Sequence, residues 1–189
     1  MIDPLNNASL FLVSTLFDLY LFVLMIRLIL CWVRGDYFNP LSQFVTKLTH
    51  PIIVPLRRII PTYFGIEFAT VFVMLTLEIL KFYLMMILTT GFPHVAGIII
   101  LALADLLKIF FNTFFYAILL QALLSWVQPG FSPIGELLRQ ITAPIMHPIQ
   151  RFMPPVAGFD LSPIPALILL QLMNIILVTP IMSLGMGLL

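Results

Sequence analysis

The chain has 189 residues, of which 61% are apolar and 9% charged, with a formal net charge of +1 and a mean hydropathy of +1.13. A soluble domain carries about 25% charged and about 45–50% apolar residues, so this chain has too few charges to cover a water-facing surface. Its near-neutral balance offers no field for nucleic acid, and its single cysteine, Cys31, excludes an internal disulfide and any CxxC motif.

Crossing about 30 Å of hydrocarbon takes about 20 apolar residues in a helix. The first such run, residues 9–33, contains Asp18 and Arg27. It exceeds the roughly 7–15 residues of a signal-peptide core, and no Ala-x-Ala-type site follows, so it reads as an uncleaved first span. In residues 39–61, Asn39-Pro40 has the form of a helix N-cap followed by proline at the first helical position. Leu41, Phe44, Val45 and Leu48 then form an apolar stripe, with Ser42, Gln43, Thr46 and Lys47 opposite. Such a helix is too short and polar to span, and is expected at the interface with its stripe toward the acyl chains. Thr49-His50-Pro51 is expected to break it, because proline disfavours the α conformation in the preceding residue. A short basic segment with Arg57 and Arg58 follows, closed by Pro61.

The second span, residues 66–90, contains Glu78 and Lys81. The third apolar stretch, residues 95–127, carries Asp105 and Lys108 and would reach about 50 Å as one straight helix. Gly91, Pro93 and Gly97 favour a break, so a span is expected from about residue 104, after a half-embedded lead-in at 95–104. Residues 132–154 repeat the amphipathic design. Ser132-Pro133 opens it, Ile134, Leu137, Leu138 and Ile141 form the stripe, and Glu136, Arg139 and Gln140 lie opposite. Thr142-Ala143-Pro144 is expected to break this helix too, before a segment ending at Pro154. The fourth span, residues 163–184, contains Gln171, Asn174 and Pro180.

Self-comparison exposes a duplication. Cys31-Trp32-Val33 recurs as Ser125-Trp126-Val127, and beyond a one-residue gap an offset of 93 aligns the rest. Pro40, Pro51, Pro55 and Pro61 fall on Pro133, Pro144, Pro148 and Pro154. Thr49 falls on Thr142, Arg58 on Arg151, Gly65 on Gly158 and Glu67 on Asp160. Residues 1–92 and 93–189 therefore form two repeats of one unit. The basic residues Arg34, Lys47, Arg57, Arg58, Arg139 and Arg151 all belong to the amphipathic loops, while the opposite face offers only Asp3, a neutral turn near Pro93 and an uncharged C-terminus. The positive-inside rule places both loops in the cytoplasm. The expected fold is an all-α membrane protein with four main transmembrane helices in two tandem parallel repeats. Each repeat has a proline-broken amphipathic segment, interfacial or re-entrant, on the cytoplasmic side.

Pro40-Leu41-Ser42-Gln43-Phe44-Val45, then Thr49 through Pro61, resembles the signature of the YggT family, and Thr142 through Pro154 resembles a diverged second copy. The resemblance covers nearly the whole chain, and the Cys31-Trp32 neighbourhood fits the two-domain bacterial form. It implies a small polytopic protein of the bacterial inner membrane without an established enzymatic activity. It further implies support of osmotic-upshift survival and potassium uptake. Relatives in Gram-positive bacteria and plastids are linked to cell division, nucleoid distribution or assembly of a membrane cytochrome.

Ionisable groups inside spans cost about 2.5–3.5 kcal/mol each on insertion scales and need a reason to be there. Glu78 and Lys81, like Asp105 and Lys108, are spaced i, i+3, so each acid and base share a helix face and can neutralise each other. With Asp18, and with Gln171 and Asn174 at the repeat positions of Glu78 and Lys81, they form a candidate intramembrane polar seam. The seam serves either as a path for a cation or proton, or as glue between helices. Arg27, whose repeat partner is Gln121, reads as snorkelling to the interface. Asp18 and Arg27 lie on opposite faces of one helix and are not expected to pair. Arg57, Arg58 and Arg151 are candidate contacts for anionic lipid or a partner, or plain anchors. Trp32 and Trp126 fit an aromatic belt.

His50, His94 and His147 have no metal-ligand spacing, and none sits on a span as haem ligation would want, so no metal or cofactor is expected. No nucleophile triad, P-loop or paired catalytic carboxylate occurs, so no enzyme is expected. The expected partners are the bilayer and, since four spans are few for a solitary transporter, a second copy or another membrane protein.

Overall fold

A computed structural model describes residues 4–89, 94–127, 132–153 and 160–188. Helix α1 (Pro4–Trp32) is followed by the amphipathic α2 (Pro40–Arg57), a two-stranded hairpin (β1, Thr62–Tyr63; β2, Ile66–Glu67) and α3 (Phe68–Thr89). The second half holds α4 (Val95–Val127), the amphipathic α5 (Pro133–Phe152), α6 (Pro163–Met173), a π-turn (Asn174–Val178) and α7 (Thr179–Gly187). Four stretches are long and apolar enough to cross a membrane: Asn7–Trp32, Phe68–Leu88, Val95–Ser125 and Pro163–Gly187. The π-turn falls just before Pro180, which has no N–H to give the Ile176 carbonyl, so the wider turn absorbs the fault in the ladder.

α1 packs on α3 in the first half, and α4 packs on α6 and α7 in the second. α4 also touches α1, α3 and α5, making it the central element. Leu21, Leu24, Met74, Phe114 and Ile118 meet in a core shared by both halves. The outer faces of the spans expose Phe11, Leu16, Phe72, Leu103, Leu120 and Ile176. Water would penalise that much contiguous apolar surface, whereas acyl chains accept it. At Gly185 an added Cβ would fall 2.8 Å from the Leu101 side chain, so the missing side chain lets α7 lie close on α4.

α1 ends in a Schellman motif: Gly35 N–H donates to Leu30 O (2.8 Å) and Arg34 N–H to Cys31 O (3.3 Å), with Arg34 in the left-handed region at φ 53°. The two amphipathic helices lie on the same side of the bundle and touch each other. Asn39 joins them. Its Oδ1 accepts from Leu41 N–H (3.0 Å) as the N-cap of α2, and its Nδ2 donates to the Pro133 carbonyl at the start of α5 (2.7 Å). Asn39→Ala should remove both bonds from a buried site and cost about 1–2 kcal/mol, with Asn39→Ser losing less because it keeps the cap. Unfolding in graded SDS mixtures measures both.

Three expectations are corrected. The stretch 95–127 is one continuous helix rather than a lead-in and a separate span, because packing along α3, α6 and α7 supports its full length. The helices are not broken at Pro51 or Pro144. α2 runs through Pro51 and Pro55, and α5 through Pro144 and Pro148. In α2 the four-residue spacing sets both prolines beneath one exposed face with Lys47, where the carbonyls deprived of a donor can reach water. Finally, the stripes do not simply face the acyl chains. In α5, Leu137, Leu138, Ile141, Thr142 and Met146 turn onto the bundle, and in α2 the inward residues are Ser42, Val45, Thr49 and Ile53. Phe44 and Leu48 do face outward. Pro154, Gly158, Gly91, Pro93, Asp3 and the side chain of Trp126 lie outside the described residues.

Candidate functional site

Two polar nodes are built into the bundle. The first lies at mid-span, since Asp18 is the midpoint of α1 and Glu78 sits at the middle of α3. Lys81, one turn beyond Glu78 and with its side chain 4% exposed, is the hub. Its Nζ lies 2.9 Å from Asp18 Oδ1 on α1, 2.7 Å from Glu78 Oε2 on α3 and 2.7 Å from Asp105 Oδ2 on α4. The Phe82 ring stands 5.1 Å from the same ammonium. Lys108 approaches Asp105 from outside at 3.7 Å.

The i, i+3 pairs expected from sequence therefore exist, but Lys81 also ties three helices together. Asp18, Glu78 and Asp105 each bring a carboxylate oxygen within 4.8 Å of the other two, and Lys81 supplies the cation among them. Glu78 is fully buried; among the described residues its Oε2 meets the Lys81 ammonium at 2.7 Å, and its Oε1 has no hydrogen-bond partner. Asp18 is half exposed and opens onto a groove of about 510 Å³ shared with Asp105, Lys108, Asn112 and Tyr116.

Gln171 and Asn174 do not join this cluster. Gln171 is exposed, and Asn174 Nδ2 donates to Asn112 Oδ1 at 3.0 Å. That contact is nonetheless the repeat image of Lys81 with Asp18, since Asp18 aligns with Asn112 in the same offset that pairs Trp32 with Trp126. One half keeps the contact as an ion pair, and the other as an amide pair.

The second node is one that sequence reasoning missed. Arg27 does not snorkel: it is buried and forks onto Glu67, Nε to Oε2 at 2.7 Å and Nη2 to Oε1 at 3.0 Å, while Nη1 donates to Thr49 Oγ1 at 2.8 Å. Glu67 is delivered by the hairpin, whose two-residue turn has Phe64 at φ 53° and Gly65 at φ 82°, the pairing a type I′ turn requires. Thr70 donates to Glu67 at 2.6 Å, and Arg57 stands 3.7 Å away. Burial pushes the Glu67 carboxyl up, but the hydrogen bonds from Arg27 and Thr70 and the charges of Arg27 and Arg57 outweigh it and hold the group below the usual glutamate range.

Arg27, Thr49 and Glu67 thus bind α1, α2 and the hairpin together. In the second half Thr142 donates to Gln121, the repeat images of Thr49 and Arg27. The signal was available: the alignment sets Arg27, Thr49 and Glu67 opposite Gln121, Thr142 and Asp160, polar against polar each time. Arg58 and Arg151 are exposed on the amphipathic face and form no ion pair among the described residues, and Arg57 is largely exposed beside Glu67.

These features define a polytopic helical membrane protein made of two equivalent units, each a pair of spans around an amphipathic helix, with an ionic cluster at the centre of the first. The chain belongs to the CCB3/YggT family, whose model matches it in two segments, residues 6–88 and 100–181. Among its relatives, an uncharacterised protein in the proC 3′ region of Vibrio alginolyticus is 40% identical over 173 residues, covering 90% of this chain and 94% of the relative. The uncharacterised protein YggT of Escherichia coli K12 is 39% identical over 170 residues, covering 89% and 88%. The uncharacterised protein PA0392 of Pseudomonas aeruginosa is 35% identical over 179 residues, covering 92% and 90%. No solved structure matches.

Proposed function

We propose that this is a non-enzymatic inner-membrane protein that takes up a proton or a monovalent cation at the Lys81 cluster, and so serves cation homeostasis and tolerance of osmotic stress. The observation that carries the reading is Glu78, a fully buried carboxyl whose cation, Lys81, is shared with Asp18 and Asp105, in a cluster of three acids against the two bases Lys81 and Lys108. With every group ionised the cluster is one positive charge short of neutrality. In lipid that shortfall is costly, and a single proton or monovalent cation removes it. The groove beside Asp18 and Lys108 opens the cluster to the outer surface of the bundle. Transport of a cation across the membrane would further need a path to both faces, which a second copy of this chain would complete.

Purified protein in liposomes carrying a pH- or potassium-sensitive dye should pass protons or potassium, and Glu78→Gln should reduce the flux at least about tenfold, because the neutral amide no longer calls for the extra charge. If wild type and variant are equally tight, or equally leaky, this reading fails.

A second reading, a scaffold or assembly factor that organises lipids or recruits a partner, is favoured by the direct closure of Lys81 on its carboxylates between packed helices. Tight wild-type liposomes, with loss of complementation in a deletion strain when Arg58 and Arg151 are replaced, would select it.

A further inference from the structure

We infer that the groove between the end of α1 and α5 is a binding site for one anionic phospholipid. The groove, about 700 Å³ in volume and open along one side, has apolar walls from Trp32, Val33, Pro144, Pro148 and Phe152 and polar lining from Gln140, His147 and Arg151. That volume lies within the range of ligand sites. Trp32 and Phe152 are exposed along it, a costly arrangement in water and a natural one against an acyl chain.

Among the described residues no carboxylate lines the groove. Of the acids around it, Glu136 is engaged by Arg139 and Gln140, Asp160 accepts from Gln150, and Asp36 is joined to the lining residue Gln140 through its backbone N–H. Arg151 has no ion-pair partner among the described residues, so its guanidinium is free to fork onto a phosphate. The site lies on the face where both amphipathic helices sit, which also carries Arg34, Lys47 and Arg58 without ion-pair partners among the described residues. An apolar wall beside an arginine without an ion-pair partner, at the interface, matches a phosphodiester headgroup with its chain attached.

Trp32 is a built-in reporter. In a Trp126→Phe background it is the sole tryptophan, since the chain has two. In detergent micelles, brominated phosphatidylglycerol should reach half-maximal quenching of Trp32 at a mole fraction about fivefold lower than brominated phosphatidylcholine, the worth of one basic side chain against an anionic lipid. Arg151→Gln should erase that preference, while Arg58→Gln, on the same face but away from the groove, should keep it. Equal quenching by the two lipids overturns the proposal. So does an equal loss in both arginine variants, which would mean general surface charge. Relief of quenching by soluble glycerol phosphate would mean a headgroup pocket and would also overturn it.

Discussion

Lys81→Met should be the most damaging single substitution in the transmembrane region. It removes the ammonium that lies within 2.9 Å of carboxylates on α1, α3 and α4 and leaves Glu78, fully buried, without a cation. Breaking a buried ion pair by deleting one partner costs about 3–5 kcal/mol, because the remaining charge stays desolvated. Asp18 adds little to that figure, since its side chain is half exposed. In graded SDS the variant should unfold at a much lower detergent fraction than wild type.

The second half of the molecule suggests the rescue. There the positions of Asp18, Glu78 and Lys81 are Asn112, Gln171 and Asn174, and the Asn112–Asn174 contact persists as an amide hydrogen bond. Importing all three, as Asp18→Asn with Glu78→Gln and Lys81→Asn, should restore most of the stability while abolishing any response to protons or cations. A triple variant as unstable as Lys81→Met would show that the charges, rather than their balance, hold the helices together. A triple variant with full cation flux would place the flux elsewhere.

Arg27→Gln is the second large effect. It imports the residue of the other repeat, Gln121, but leaves Glu67, only 2% exposed, with Thr70 and the largely exposed Arg57 at 3.7 Å. The expected loss is again about 3–5 kcal/mol, and Glu67→Gln in the same chain should recover much of it. The pH dependence separates this from a general packing defect. In the wild type the folded Glu67 holds its proton less tightly than the unfolded group, whose ordinary value is about 4.3. The unfolded state therefore binds more protons. The contribution is fully present above that ordinary value and disappears as the pH falls through the lower folded value. In Arg27→Gln the sign should reverse: with only the solvent-screened Arg57 left at 3.7 Å, burial outweighs the remaining charge, the carboxylate gains by protonation, and stability should rise as the pH falls. Unfolding midpoints measured from pH 3 to pH 7 would show opposite slopes, and parallel slopes would refute the role given to Arg27.

Much of the local architecture was legible because its signals are local. Asn39-Pro40 and Ser132-Pro133 are helix starts, as a capping side chain and a proline with no N–H to lose require. The separation of Asp18 from Arg27 also followed from helical periodicity alone, and the two indeed serve different nodes. Proline was misread where its cost depends on surroundings. The residues before Pro51 and Pro144 stay helical because each helix is held by its neighbours along one face, which a dipeptide rule does not see. Arg27 was misread for a similar reason. Its distance from the end of α1 allowed a route to water, but the hairpin placed Glu67 nearer than water.

By itself, the sequence determined that this protein resides in lipid, that it has four spans in two related halves, and that a basic amphipathic helix belongs to each. Those properties depend on composition and periodicity, which every residue carries with it. Only the tertiary structure decided which buried charges meet. The rotation and height of α1, α3 and α4 relative to one another bring Asp18, Glu78 and Asp105 to Lys81, and they are set by the packing of Leu21, Leu24, Met74 and Phe114 in the shared core. Spacing along one helix fixes a residue's face, but the partner on the next helix is fixed by how the two helices interlock.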